Sequence, residues 1–248
     1  MKNIGTPLAA VAIALCASAA PSFAGKGGSA QLIQQAIASH SQDAIIAEVE
    51  RTEGLICSEC IASVTSLLSS DNYKLREVAG WWYAKRPVLA QQMLVQMKAD
   101  LVSGDAVHAR NAADFIGSIR QQNALPALRA AYARTDLTVD ARTAIVRSVG
   151  LLGNPGGNST LAQAMRDGDA GIRALAVTSW RDMRGQTTAA PAEALLADSD
   201  ANVRAQAATV VGAYRDANAR AALQQLVTDP SYQVRHNAQW AIGRIDHQ

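Results

Sequence analysis

Asp200-Ala-Asn-Val-Arg-Ala-Gln-Ala207, followed by Gly212, returns as Ser231-Tyr-Gln-Val-Arg-His-Asn-Ala238, followed by Gly243. The Val-Arg pairs 203-204 and 234-235 are 31 residues apart, and Ile172-Arg173 and Ala141-Arg142 stand at the same interval upstream. Ala176 and Ile145 take the place of Ala207, and Gly150 that of Gly212. A fixed period of this length marks stacked units, each sealing the apolar face of the next. The fold class it predicts is all-α, a right-handed α-solenoid of about six helical hairpins.

Further upstream the frame loosens. Leu75-Arg76 is followed by Ala79, and Ala109-Arg110 by Ala113 and by Gly117, one place early. In the clearest units, Pro191 to Ala197 reads as helix A, with proline in its first turn where a missing N–H does no harm. Asp198-Ser-Asp200 reads as a turn that caps helix B, from Val203 to Tyr214. Ala219 to Val227 and Val234 to Ile245 repeat the pair. With the arginine as position zero, positions −1, +3 and +7 lie within about 40° of one direction and form the packed stripe. The small Ala207 and Ala238 let the paired helix approach closely, and the glycine at +8 is expected to end or tighten helix B. The recurrent Asp and Arg predict a ladder, each arginine reaching a turn carboxylate or helix-end carbonyls of its own or the adjacent unit.

This pattern resembles HEAT repeats, in particular the short variety of the family named for phycobilisome lyases. The resemblance rests on Asp200 to Gly212 and Tyr232 to Gly243, covers about 56–248, and is strongest after residue 136. It implies HEAT-like hairpins whose B helices line the concave face. That family's name implies a cofactor-handling lyase, while the fold by itself fixes no activity. The tetratricopeptide and ankyrin signatures are missing.

The ends set the context. Residues 1–24 read as a cleavable signal peptide, with Lys2, an apolar run from Leu8 to Ala20, and small residues Ser22 and Ala24 before the cut. That makes the expected location periplasmic, in a bacterium. The run is too short for a permanent membrane span, and no later run is longer. Without those 24 of 248 residues only Lys2 is lost from 23 basic and 21 acidic side chains, so the net charge is +1. So even a balance argues against nucleic acid as a partner. Aromatic residues at 4% and abundant alanine suit closely packed helices better than a sheet sandwich. Residues 25–55 read as a tail and capping helices, with Leu32, Ile33, Ala36 and Ile37, then Ile45, Ile46 and Val49 at helical spacing.

Cys57 and Cys60 open the first helix A in Ile56-Cys-Ser-Glu-Cys-Ile61. Residues three apart on a helix lie about 5 Å apart at Cα, within disulfide range. A structural disulfide leads in an oxidising compartment; a redox-active pair and a reduced or metal-bound pair remain open. Haem attachment fails, because Ile61 stands where histidine is required. His40, His108, His236 and His247 match no metal spacing, no nucleotide or hydrolase fingerprint is present, and no cofactor is expected.

Position +5 of helix B points away from the packed stripe and holds Trp81, Phe115, Arg147, Thr178, Thr209 and Trp240. Exposed aromatic and arginine side chains in a row suit a binding surface. Trp81-Trp82-Tyr83-Ala84-Lys85-Arg86 joins aromatic area to positive charge and favours a protein or peptide partner with carboxylate groups. Trp180, at +7, belongs to the core. The reading is a non-catalytic scaffold binding a protein or peptide through Trp81, Trp82, Lys85, Phe115, Arg147 and Trp240. A thiol–disulfide role for Cys57 and Cys60 is the alternative, and a cofactor-handling lyase a third.

Overall fold

The computed structural model describes residues 29–247, so the segment 1–24 expected to be a signal peptide lies outside the described residues. The described chain is helical throughout, in hairpins stacked side by side. The first hairpin is α1 (Ala30–Ala38) and α2 (Gln42–Arg51). Ser29 and Ser41 cap these helices, accepting from Leu32 N and Ala44 N. α1 packs on α3 (Cys60–Leu67) and α2 on α4 (Tyr73–Ala84), covering the end of the stack as the apolar spacing of 32–49 requires.

Six hairpins follow. The first is α3 with α4; the second is α5 (Pro87–Ser103) with α6 (Ala106–Ser118). α7 (Leu125–Tyr132) pairs with α8 (Val139–Leu152), and α9 (Asn158–Ala164) with α10 (Ala170–Arg181). α11 (Ala190–Glu193) runs on as a 3₁₀ turn, Ala194–Ala197, before α12 (Ala201–Ala213); α13 (Arg220–Leu226) precedes α14 (Tyr232–Asp246). The B helices α4, α6, α8, α10, α12 and α14 pack on one another far more closely than the A helices do, so the B layer is the inner one.

The phase read from the repeats is the phase of the core. Val203, Ala207 and Val211 are completely buried, as are Val234 and Ala238, and Trp180 is buried with its indole N–H on Thr188 O at 2.8 Å. The glycine at +8 has a different role from the one expected. Gly150, Gly212 and Gly243 all lie inside their helices. A Cβ on Gly212 would sit 2.7 Å from Ala241 Cα, and one on Gly150 2.7 Å from Ser179 Oγ. The missing side chain lets successive B helices touch. Gly243 has no following unit and nothing within 4 Å of such a Cβ.

The ladder runs from each unit to the next. Arg142, Arg173 and Arg204 reach Asp167, Asp198 and Asp229 through Nε at 2.9, 2.7 and 2.8 Å, and through Nη2 at 3.2, 2.8 and 3.1 Å. Nη1 of Arg173 and Arg204 donates backwards to the carbonyls of Asp167 and Asp198 in their own turns. Each carboxylate also accepts from the backbone N–H two residues on, so one turn ties two units. Hydrogen bonds from Arg173 and Arg204 hold the Asp198 and Asp229 carboxyls below their ordinary range. Burial pushes Asp167 up, but Arg142, the Asp169 N–H and Tyr132 together bring it below that range. Bidentate, half-buried pairs of this kind hold register more firmly than exposed ones.

Candidate functional site: the inner face of the B helices

The structure divides the six expected site residues into two groups. Trp82 and Phe115 do not line a surface; both are core. Trp82 is 1% exposed and donates its indole N–H to Thr52 Oγ1 at 3.0 Å. Arg86 lies 3.4 Å from the centre of the Trp82 ring and donates to the carbonyls of Thr52 and Leu55. Together they clamp the capping hairpin onto the first unit, which accounts for the richness of the Trp81–Arg86 stretch. Lys85 is exposed and pairs with Glu53 at 3.3 Å, a contact of little energetic weight.

Phe115 is 0% exposed and meets the Tyr83 ring edge-on at 5.5 Å. The reason is register. Gly117 comes one place early, and its absent Cβ faces Ser148, the partner that Gly150 finds in Ser179 one unit later. α6 is therefore advanced by one residue, so Asp114 takes the outward position and Phe115 turns between helices. Asp114 has in turn been covered. Its Oδ2 accepts from Arg76 Nε at 2.9 Å and its Oδ1 from Arg147 Nη1 at 2.8 Å. The Arg147 guanidinium stacks 3.9 Å from the Tyr73 ring centre, and Tyr73 donates to Glu77 at 2.7 Å. One carboxylate thus joins units one, two and three, and Arg147 is partly committed to that junction.

Trp81 and Trp240 remain on the surface, 47% and 43% exposed, at the same helical position in the first and last units. Trp81 sits beside Val49, Glu50 and Glu53; Trp240 borders a hollow with Arg215, Arg244 and His247. Between them, α8 and α10 form a groove of about 830 Å³, with Arg147, Leu175 and Thr178 along its floor and Arg120, Asp182 and Arg184 at the helix ends. Arg184 is tied to the carbonyls of Leu152 and Gly153.

Arg120 was not legible as a site residue. It has φ 51°, the left-handed conformation that Gly153 adopts at the end of α8 (φ 57°). For a residue with a Cβ that geometry costs about 1–2 kcal/mol. The guanidinium is exposed into the groove, with no ion-pair or hydrogen-bond partner for it among the described residues. Arg215, after α12, has the same conformation (φ 52°), and the N–H groups of Arg120, Gly153 and Arg215 all reach the carbonyl three residues back, so the left-handed residue is a recurring helix-end turn that here carries a cation to the groove.

Cys57 and Cys60 are bonded, with Cα atoms 5.3 Å apart. Cys60 is completely buried; Cys57 is half-buried on the wall of a second groove, about 540 Å³, with Leu55, Ile56, Val88 and Leu89. The histidines are scattered: His108 meets Asp105 at 2.8 Å, and His236 stacks on Tyr232. Among the described residues no helix is long and apolar enough to cross a membrane.

Comparison with known proteins agrees with the architecture. Residues 188–248 match the family model of HEAT repeats, which covers the last two units. The fold is similar to that of YibA from Escherichia coli, with TM-score 0.54 and 10% identity over 90% of this chain and 94% of that one. It is also similar to an engineered protein, with TM-score 0.51 and 14% identity over 88% and 96% of the two chains. A weaker likeness, TM-score 0.42 and 15% identity over 88% and 96%, is to human deoxyhypusine hydroxylase in complex with glycerol. At these identities the likeness is one of fold. No curated protein matches the sequence.

Proposed function

We infer that this protein is a non-catalytic, exported scaffold that holds an extended protein or peptide segment along the inner face of its B helices. The observation that carries the reading is the open arginine-bearing groove between two exposed tryptophans at equivalent positions. Aromatic side chains at the ends and Arg120 in the middle suit a segment with apolar anchors and a carboxylate between them. Trp81 and Trp240 are five B helices apart. At about 8–10 Å per helix pair the span is roughly 40–50 Å, which an extended segment of about 12–15 residues covers. Arg147 contributes a partly engaged guanidinium to the same surface, whereas Lys85 lines the second groove with Leu55 and Ile56.

The Cys57–Cys60 bond supports the exported reading, because such bonds persist in oxidising compartments. It is also what the thiol–disulfide alternative rests on. Only Cys57 is open to an attacking thiolate, since Cys60 is sealed in the core.

Capture from a periplasmic extract tests the proposal. The wild-type chain is expected to retain a partner that a Trp81→Ala, Arg120→Ala, Trp240→Ala variant loses, while helical content and thermal midpoint stay within a few degrees. Retention of the same partner by the triple variant overturns the assignment of this face. Loss of the partner by a Cys57→Ser, Cys60→Ser variant alone would move the site to the second groove.

A further inference from the structure

Three hollows open between neighbouring helices of the inner layer, and the charge on them changes sign along it. At the capped end, Trp81 on α4 shares a hollow of about 280 Å³ with Glu50 and Glu53. α2 packs on α4 there and continues the B layer. Glu50 is exposed, and its carboxylate has no hydrogen-bond or ion-pair partner among the described residues. Glu53 meets Lys85 in an exposed pair of little weight, which a ligand can open. Both acids stand at the C-terminal end of α2, where the helix dipole is already negative and a carboxylate is disfavoured. Helix stability therefore does not account for them.

The far end is the reverse. Trp240 shares a hollow of about 400 Å³ with Arg215, Arg244 and His247, and no acidic residue lines it among the described residues. Arg244 is exposed, its guanidinium 6.0 Å from the centre of the Trp240 ring, with no hydrogen-bond or ion-pair partner among the described residues. Asp246, at the end of α14, is engaged by Arg220 at 2.8 and 3.0 Å. The two tryptophans are equivalent in the repeat, so a partner that used them only as apolar anchors would fit either way round. The charges remove that symmetry. A tryptophan ring between carboxylates attracts a cation and repels an anion, and the guanidinium beside Trp240 does the opposite. We propose that the inner face fixes the direction of the segment it holds: a lysine or arginine rests on Trp81 against Glu50 and Glu53, and an aspartate or glutamate meets Arg244 beside Trp240. This rests on the inner face being the binding surface, and adds which end of the ligand goes where.

Selection of random displayed peptides of about 15 residues, long enough to span the face, on the immobilised protein reads this order. Peptides retained by wild type are expected to carry Lys or Arg near one end and Asp or Glu near the other, each about five- to tenfold above the unselected library. A Glu50→Lys, Glu53→Lys variant should lose the basic preference and keep the acidic one; Arg244→Glu should lose the acidic preference and keep the basic one. Both preferences should fade as added salt screens the exposed charges. Unaltered circular dichroism and thermal midpoint in both variants keep the comparison one of recognition. Retained peptides without a charge order, or an order that neither variant alters, overturn the proposal and leave the inner face as a binding surface. A wild type that retains nothing beyond what a Trp81→Ala, Trp240→Ala variant retains overturns the binding surface itself.

Discussion

Asp114→Ala is expected to lower the unfolding free energy by about 3–5 kcal/mol, the loss typical when one member of a buried ion pair is removed. The Asp114 side chain is 0% exposed and that of Arg76 is 5%. Among the described residues, the hydrogen bonds of Arg76 besides those to Asp114 go to the carbonyls of Ser70 and Asp71, which carry no compensating charge. Deleting the carboxylate leaves the Arg76 guanidinium buried and frees Arg147 from one of its anchors. Asp114→Asn keeps the shape but removes the charge and replaces one acceptor by a donor, so a smaller loss is expected. Denaturant unfolding followed by circular dichroism measures both. A loss below about 1 kcal/mol for the alanine variant, the level of an exposed pair, would show that the junction of units one to three is not held by this cluster.

Phe115→Ala should also cost about 3–5 kcal/mol, since a fully buried ring leaves both lost transfer energy and a cavity. Trp81→Ala, at the same nominal position one unit earlier, should cost under about 1 kcal/mol, as its ring is half in solvent. The pair separates two accounts of position +5. If it were a continuous binding row, both variants would lose partner capture and neither would lose much stability. With α6 advanced by one residue, Phe115→Ala loses stability and Trp81→Ala loses capture. Equal destabilisation by the two would contradict the register shift.

The fold was legible because the solenoid is written in a repeat. The 31-residue interval gave the hairpins, the arginine position gave the helix phase, and the Asp–Arg pattern gave the ladder, each in residues that recur. What failed was local departure from that repeat. The early Gly117 signalled the shift in α6, yet counting from Arg110 placed Phe115 outside. Trp82 and Arg86 read as a surface patch because their partners, Thr52 and the Leu55 carbonyl, belong to the capping hairpin, about thirty residues away and outside the period. Helix A of the fifth unit is short and finishes as a 3₁₀ turn, a boundary that alanine-rich sequence does not mark. Arg120 could not be found from sequence, because nothing in an arginine announces a left-handed backbone; only alignment with Gly153 points to it.

The account depends on helix B having one sealed side and one open side outside the second unit, where α6 is buried from Ala109 to Ser118. The direct measurement is the thermal midpoint of Ala207→Leu against Thr209→Leu. Ala207 is completely buried at +3, and Thr209, at +5, is partly exposed with its hydroxyl on the Ala205 carbonyl and the Asn237 amide. Overfilling at residue 207 is expected to cost about 1–3 kcal/mol or more, several degrees of midpoint, and leucine at 209 appreciably less. Equal tolerance at the two positions, or a larger loss at 209, would contradict the phase and with it the recognition face.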